Sequence, residues 1–270
     1  MPGDIDDDLL PDAAFVGLRG EGEVVLNVTS KPTKVGLRRI VSAVDIGYPP
    51  GMLDPQVIIA QKTQKFFKWS WLDLMTDRTT RFATVSGRGK PVVGCYINNR
   101  YTASAFIRSK TSAQLIAYLA RGDYVVNVPK STQSARCGPP LGGTSSVYYM
   151  QYDKRRKTYT LYGKNGARQI LASPRLDRRV RTPIFGIIPR EPLQRPTLWV
   201  LARVGKSQEL RVLDRFNKWI KISLPRVPVG SRIASIVAVQ NETRTFFVFQ
   251  MTNRKRETSY VSVPIAADLL

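Results

Sequence analysis

The sequence predicts an all-β fold: a six-bladed β-propeller of mostly four-stranded blades, each about 45 residues long. Three observations predict it. Apolar residues alternate in short runs of period two and almost never follow a helical period. A small residue flanked by mostly apolar neighbours recurs at positions 42, 94, 142, 186 and 235, in steps of 52, 48, 44 and 49. The two ends of the chain are complementary, one lacking an inner strand and the other a hairpin.

Along the chain, Ala14–Leu18 and Glu23–Val28 read as a middle hairpin with no inner strand before it. Five inner strands then follow: Ile40–Val44, Val92–Tyr96, Pro140–Thr144, Ile184–Ile188 and Ile233–Val237. Their small residues are expected where blades converge on the axis and large side chains would collide. Val147–Tyr152, Thr158–Tyr162, Ala167–Ala172, Thr197–Arg203, Glu209–Leu213, Trp219–Ser223, Thr245–Gln250 and Thr258–Val263 are rich in β-branched and aromatic residues that suit a pleated surface. Ser112–Leu119 has some helical character, but its neighbours make it a strand. Phe67, Trp69 and Trp71 alternate with Lys68 and Ser70, so the three aromatics share one face, as packing between blades requires. Ile265–Leu270 reads as an inner strand that pairs with the N-terminal hairpin, completes the sixth blade and leaves no open edge.

Residues 1–12 read as an acidic, solvated tail carrying Asp4, Asp6, Asp7, Asp8 and Asp12; folding back onto a basic surface is the alternative. Residues 13–270 form one propeller domain. The acidic start is unlike a signal peptide, and no window holds the roughly 18 apolar residues of a transmembrane segment. An intracellular setting, or unconventional export, is the expectation.

Six compact blades opened by Gly230-Ser231-Arg232-Ile233-Ala234-Ser235, with second strands ending Phe249-Gln250 and Tyr149-Met150-Gln151, resemble the fungal fucose-specific lectins. The resemblance implies a six-bladed propeller with sugar sites between blades. Each such site takes an arginine from the second strand, a glutamate from the third and a neighbouring aromatic. Here the arginine positions fall on Val147, Leu198 or Trp199, and Phe246; only Glu209 and Trp219 match the other roles. No complete sugar site carries over.

The chain has 270 residues, with 42 Lys+Arg, 20 Asp+Glu and no histidine, for a formal charge of +22. Without histidine there is no Ser-His-Asp or Cys-His catalysis, no His-ligated zinc and no imidazole switch. Two cysteines cannot form an all-cysteine zinc site. Cys95 and Cys137 fall near adjacent inner strands, and buried free thiols are the default expectation. Walker, dinucleotide and nucleophile-elbow motifs are absent. Ser86-Gly87-Arg88-Gly89-Lys90 lacks the following Ser or Thr and helix, so it reads as a turn. No catalytic residue, metal site or cofactor is expected.

The repeat also sorts the charge. In a propeller, tips joining strands two and three share a face with the links between blades. Those segments, among them the link Thr29–Arg39 with Lys34, Arg38 and Arg39, sum to +22, the opposite loops to +1. Spread-out charge would cost less self-repulsion, so concentration on one face points to a large anionic partner. The candidate polyanion-binding residues are Lys154, Arg155, Arg156 and Lys157; Arg178, Arg179 and Arg181; Arg254, Lys255 and Arg256; and Arg38 and Arg39. Guanidinium forks suit phosphate or sulfate. The expected protein is therefore a non-enzymatic binder of polyanions, nucleic acid backbone first. Glycans held between blades, acidic ones included, are the alternative, and an anionic membrane surface would use the same charges.

Overall fold

In the computed structural model, the residues described are 5, 11–17, 19–28, 32–47, 49, 54–141, 144–188, 197–240 and 244–265. They hold 24 strands and no helix. The first sheet is β1 (Ala13–Val16), β2 (Glu21–Leu26) and β3 (Thr33–Ile40), in that order. The second is β4 (Ala43–Gly47), β5 (Gln56–Lys62), β6 (Phe66–Leu72) and β7 (Thr79–Ser86). In the third, β8 (Lys90–Val92) precedes a small ribbon, β9 (Tyr96–Ile97) with β10 (Arg100–Tyr101). The sheet continues with β11 (Ala103–Arg108), β12 (Ala113–Tyr118) and β13 (Tyr124–Val128). The fourth is β14 (Thr132–Leu141), β15 (Thr144–Asp153), β16 (Thr158–Asn165) and β17 (Arg168–Ala172). The fifth is β18 (Val180–Ile188), β19 (Thr197–Val204), β20 (Ser207–Leu213) and β21 (Trp219–Ile222). The sixth is β22 (Arg232–Gln240), β23 (Thr245–Thr252) and β24 (Thr258–Pro264). Six antiparallel sheets, each folded from consecutive strands, make the fold a six-bladed β-propeller.

Two compact units share these sheets. One, from Met1–Gly87 and Pro225–Ala267, holds the first, second and sixth; the other, from Arg88–Leu224, holds the third, fourth and fifth. The period-two alternation is visible in the burial. Phe67, Trp69 and Trp71 on β6 are buried while Lys68 is exposed.

Four of the described hairpin tips share one local device. An Asp or Asn at the tip's start folds its side chain back to accept the backbone N–H groups of its own turn. Asp73 takes Met75 and Thr76, Asp153 takes Arg155 and Arg156, Asp214 takes Phe216 and Lys218, and Asn253 takes Glu257, all at 2.7–3.1 Å. Asp77, Lys157, Asn217 and Arg256 follow in the same tips with φ between 52° and 66°, the left-handed region in which such a turn closes.

The repeating small residues prove to serve different local needs. Gly186 lies directly across from Trp199 in the β18–β19 register. A Cβ added there would stand 2.2 Å from the indole Cζ2. Ser235 sits at a bulge after Ile233. Ser42 lies between strands and donates its N–H to Ala60 at 2.7 Å. Gly94, at φ 75°, ends the strand expected over Val92–Tyr96 and turns the chain into the ribbon; Gly142 lies outside the described residues. Gly186→Ala is expected to cost about 2–3 kcal/mol through overpacking, read as a lower urea midpoint, whereas Ser235→Ala should change it little.

In the first unit, the first and sixth sheets pack on each other through Ala13, Phe15, Val25, Val28, Val239 and Val248. Glu23, with its side chain only 9% exposed, is held there by Lys34 at 2.8 Å, by Gln250 Nε2 at 2.9 Å and by the Tyr260 hydroxyl. Burial would raise this carboxyl, but hydrogen bonds from Lys34 and Tyr260 outweigh it and hold it below its ordinary value. Burial, and then the bond to Glu23, push the Tyr260 phenol up, so it stays a donor. A depressed carboxyl contributes stability above its unfolded pKa and loses it as pH falls. Glu23→Gln should therefore destabilise by about 2 kcal/mol at neutral pH, and the gap from wild type should close below pH ~4 in pH-dependent melting curves. The closing strand expected over Ile265–Leu270 lies outside the described residues except for Ile265, whose N–H donates to Thr245 at 2.8 Å.

Three expectations are corrected. Thr29–Arg39, read as a link between blades, is strand β3 from Thr33 onward, because Val35 and Leu37 alternate with polar neighbours. Asp12, assigned to the solvated tail, is buried and accepts the N–H groups of Ile5 at 2.7 Å and Asn27 at 3.0 Å. Cys95 and Cys137 are joined in a disulfide with Cα atoms 5.0 Å apart; β8 stops at Val92, the chain turns at Gly94 (φ 75°), and the register of β14 is irregular after Cys137.

Candidate polyanion-binding cleft

In the second unit, four segments meet around a cleft of about 650 Å³. They are the β11–β12 tip, the β13–β14 link, the β15–β16 tip and the β17–β18 link, joined by the inward end of β16. Arg108, Lys110, Lys130, Lys154, Arg155 and Arg175 surround it, with Asp153 as the one carboxylate. Ser109, Ser131, Gln151, Tyr152, Thr160 and Tyr162 complete the lining. The disulfide and Ser145, which accepts the N–H of Tyr96 at 2.9 Å, tie the third and fourth sheets that form its walls.

Asp153 offsets only part of this ring, one carboxylate against six cations. Both of its turn bonds go to the backbone; the N–H of Arg156, against burial, then the N–H of Arg155 and the charges of Arg156 and Arg175 hold its carboxyl below its ordinary value. Its Oδ2 lies 3.8 Å from Arg156, outside the cleft lining. None of the six lining cations forms an ion pair with a described residue; Lys34, Arg39, Arg156, Arg179, Arg211 and Lys221 do, and none of these lines the cleft. Arg108 is steadied by the carbonyl of Thr132 at 3.4 Å and by Gln133 Oε1 at 3.2 Å. Gln151 Nε2 donates to Ser131 Oγ at 2.7 Å. Tyr152 is backed by Tyr159, with ring centroids 4.7 Å apart, and Tyr162 is stacked on Tyr149 at 5.5 Å.

Of the residues picked out in the sequence, Lys154 and Arg155 line the cleft. Arg156 and Lys157 sit exposed on the same tip. Arg178 and Arg179 lie in the β17–β18 link, with Arg179 bound to Asp177 at 3.1 Å and Arg181 donating to the Arg178 carbonyl at 3.3 Å. Arg254, Lys255 and Arg256 are exposed on the β23–β24 tip of the first unit. Arg38 is exposed on β3, but Arg39 is paired with Asp77 at 2.9 Å and Lys34 with Glu23, so two cations assigned to an open loop serve the fold. Arg108, Lys110, Lys130 and Arg175 were missed as site residues. Three belong to segments already marked as basic, but each is a single charge, and attention to adjacent doublets passes over singles that only the fold gathers.

The residues lining the lectin-like positions are also placed. Gln250 is buried in the Glu23 cluster, Trp219 donates its Nε1–H to the Pro174 carbonyl at 2.8 Å, and Glu209 is paired with Arg211 and Lys221. Among the described residues, no group of three His, Cys, Asp or Glu could hold a metal ion, and no helix is long and apolar enough to cross a membrane.

The fold and the cleft together define a β-propeller with a cationic recess between two neighbouring blades. No family model and no curated protein matches the chain at the level of sequence. Solved structures share its general form at low identity. A protein of unknown function from Desulfotomaculum acetoxidans matches over 94% of this chain and 80% of its own, at 11% identity and a TM-score of 0.42. A putative 6-phosphogluconolactonase from Bacteroides uniformis matches over 96% and 82%, at 11% identity and a TM-score of 0.45. Prolyl oligopeptidase B from Galerina marginata matches over 95% of this chain and 43% of that enzyme, at 8% identity and a TM-score of 0.40. At this degree of likeness they carry no argument about the chain.

Proposed function

We propose that the protein is a non-enzymatic binder of polyanions, docking on nucleic acid backbone through its basic tips and links. The observation that supports this reading is the cleft itself: six cations from four separate segments stand around one recess with a single carboxylate, Asp153, among them. Bringing like charges together costs self-repulsion, and a bound anion offsets that cost. Contacts of this kind exchange condensed counterions for protein charges, so affinity falls steeply with salt. An oligonucleotide of about 20 nucleotides should bind at about 50 mM salt, and log K should fall linearly with log salt at a slope of about −4 or steeper. Absence of binding at that salt, or a flat slope, would sink the reading.

Gln151 supports the glycan alternative, because it ends the Tyr149-Met150-Gln151 stretch that resembles a lectin strand and it lines this cleft. A neutral sugar presents hydroxyls that call for acceptors as well as donors. Around this recess the charged side chains are almost all donors, which favours an anion. Acidic glycans fit that chemistry better than neutral ones.

A further inference from the structure

We infer that the cleft selects single-stranded nucleic acid, with an unpaired base entering the recess against Tyr162 and the flanking phosphates meeting the cations at its mouth. This rests on the polyanion reading and adds the form of the partner to it. A flat or ridged basic surface would suit a duplex, whose phosphates lie on a convex cylinder and whose bases are stacked inside. The surface here is a recess, and its volume of about 650 Å³ lies within the roughly 300–1,000 Å³ of sites that enclose a small organic group.

The lining changes character from rim to interior. Lys110, Lys154 and Arg155 stand on the hairpin tips, whereas Tyr162 and Thr160 lie along β16 and Gln151 at the end of β15. A rod-like duplex resting on the tips would leave Tyr162 and the amide unused. An unpaired nucleotide uses both levels: charge for its phosphate, and an aromatic surface with a hydrogen-bonding amide for its base. Tyr162, Thr160 and Gln151 share one face of the β15–β16 pair, and Tyr162 is braced by Tyr149, so little side-chain freedom is lost when a base stacks there. Base–aromatic stacking is tolerant of sequence, because every base has a π face. Preference for strandedness without preference for sequence is the consequence.

The test compares three labelled ligands of equal length by fluorescence anisotropy at about 50 mM salt: a single strand, its duplex, and a single strand of abasic sites with the same phosphates and no bases. The single strand should bind about tenfold tighter than either of the others, the size of one stacked base. Tyr162→Ala should remove that ratio while the salt slope stays, and Tyr162→Phe should keep it. Equal binding of all three ligands by the wild-type protein overturns base insertion but leaves the polyanion reading standing. So does a Tyr162→Ala variant that weakens all three alike. No binding of any of the three, with heparin retained, overturns base insertion and the nucleic-acid partner alike, in favour of an acidic glycan. The comparison among ligands uses the unaltered protein, so it holds even if the alanine variant folds poorly.

Discussion

Reversing four cations of the cleft, Lys110→Glu, Lys130→Glu, Lys154→Glu and Arg155→Glu, is expected to weaken oligonucleotide binding at about 50 mM salt by at least 100-fold and to reduce the salt slope by about 3. The four come from three different segments of the lining. All are exposed and none is ion-paired with a described residue. Surface changes of this kind usually move stability by no more than about 0.5 kcal/mol, so the melting temperature should stay near that of wild type. The matched control reverses Arg254 and Arg256 on the β23–β24 tip, which are equally exposed but belong to the first unit. If the two variants lose affinity to the same degree, binding follows net charge and the cleft has no special part in it. Isothermal titration and anisotropy across a salt series decide between these outcomes.

Loss of the Cys95–Cys137 bond is the largest stability effect expected. The bond closes a loop with a sequence separation of 42, for which chain entropy predicts about 4 kcal/mol. Cys95 is 1% exposed and packs with Val92, Ala135, Val147 and Tyr149, so reduction leaves two thiols in an apolar setting rather than opening a hole. Urea midpoints should fall on adding a reductant to the wild-type protein. The Cys95→Ser/Cys137→Ser variant should start at the lower midpoint and show no response to reductant. A wild-type midpoint that is indifferent to reductant would contradict the assignment. Because the bond joins the sheets that wall the cleft, the reduced protein should also bind oligonucleotides more weakly. Reducing and oxidising surroundings would thus differ in both stability and affinity.

These two expectations stand in different relations to the sequence. The tips carrying Lys110, Lys154 and Arg155 were legible because turns opened by Ser or Asp between β-rich runs are local chemistry: Ser109 and Asp153 cap the backbone that follows them. The disulfide was not legible. Two cysteines at a separation of 42 fix nothing until the turn at Gly94 and the irregular register of β14 bring their Cα atoms to 5.0 Å. Gly186 falls between. Its smallness was visible in the repeat, but its cause, the indole ring of Trp199 on the paired strand, depends on register.

The same division runs through the charge. By itself the sequence determined that this is an all-β propeller, through alternation of period two and a recurrence of about 45 residues, and that its loops carry a large positive excess. Those are local and periodic properties, written in neighbouring residues. Which cations face a ligand was decided only by the tertiary structure. Lys34 and Arg39 are paired with Glu23 and Asp77, while Arg108, Lys130 and Arg175, far apart in the chain and none of them part of an adjacent basic pair, came to line one recess. The physical reason is that ion pairing and convergence depend on distances of a few ångströms across strands and between sheets. Register and packing set those distances, and composition does not.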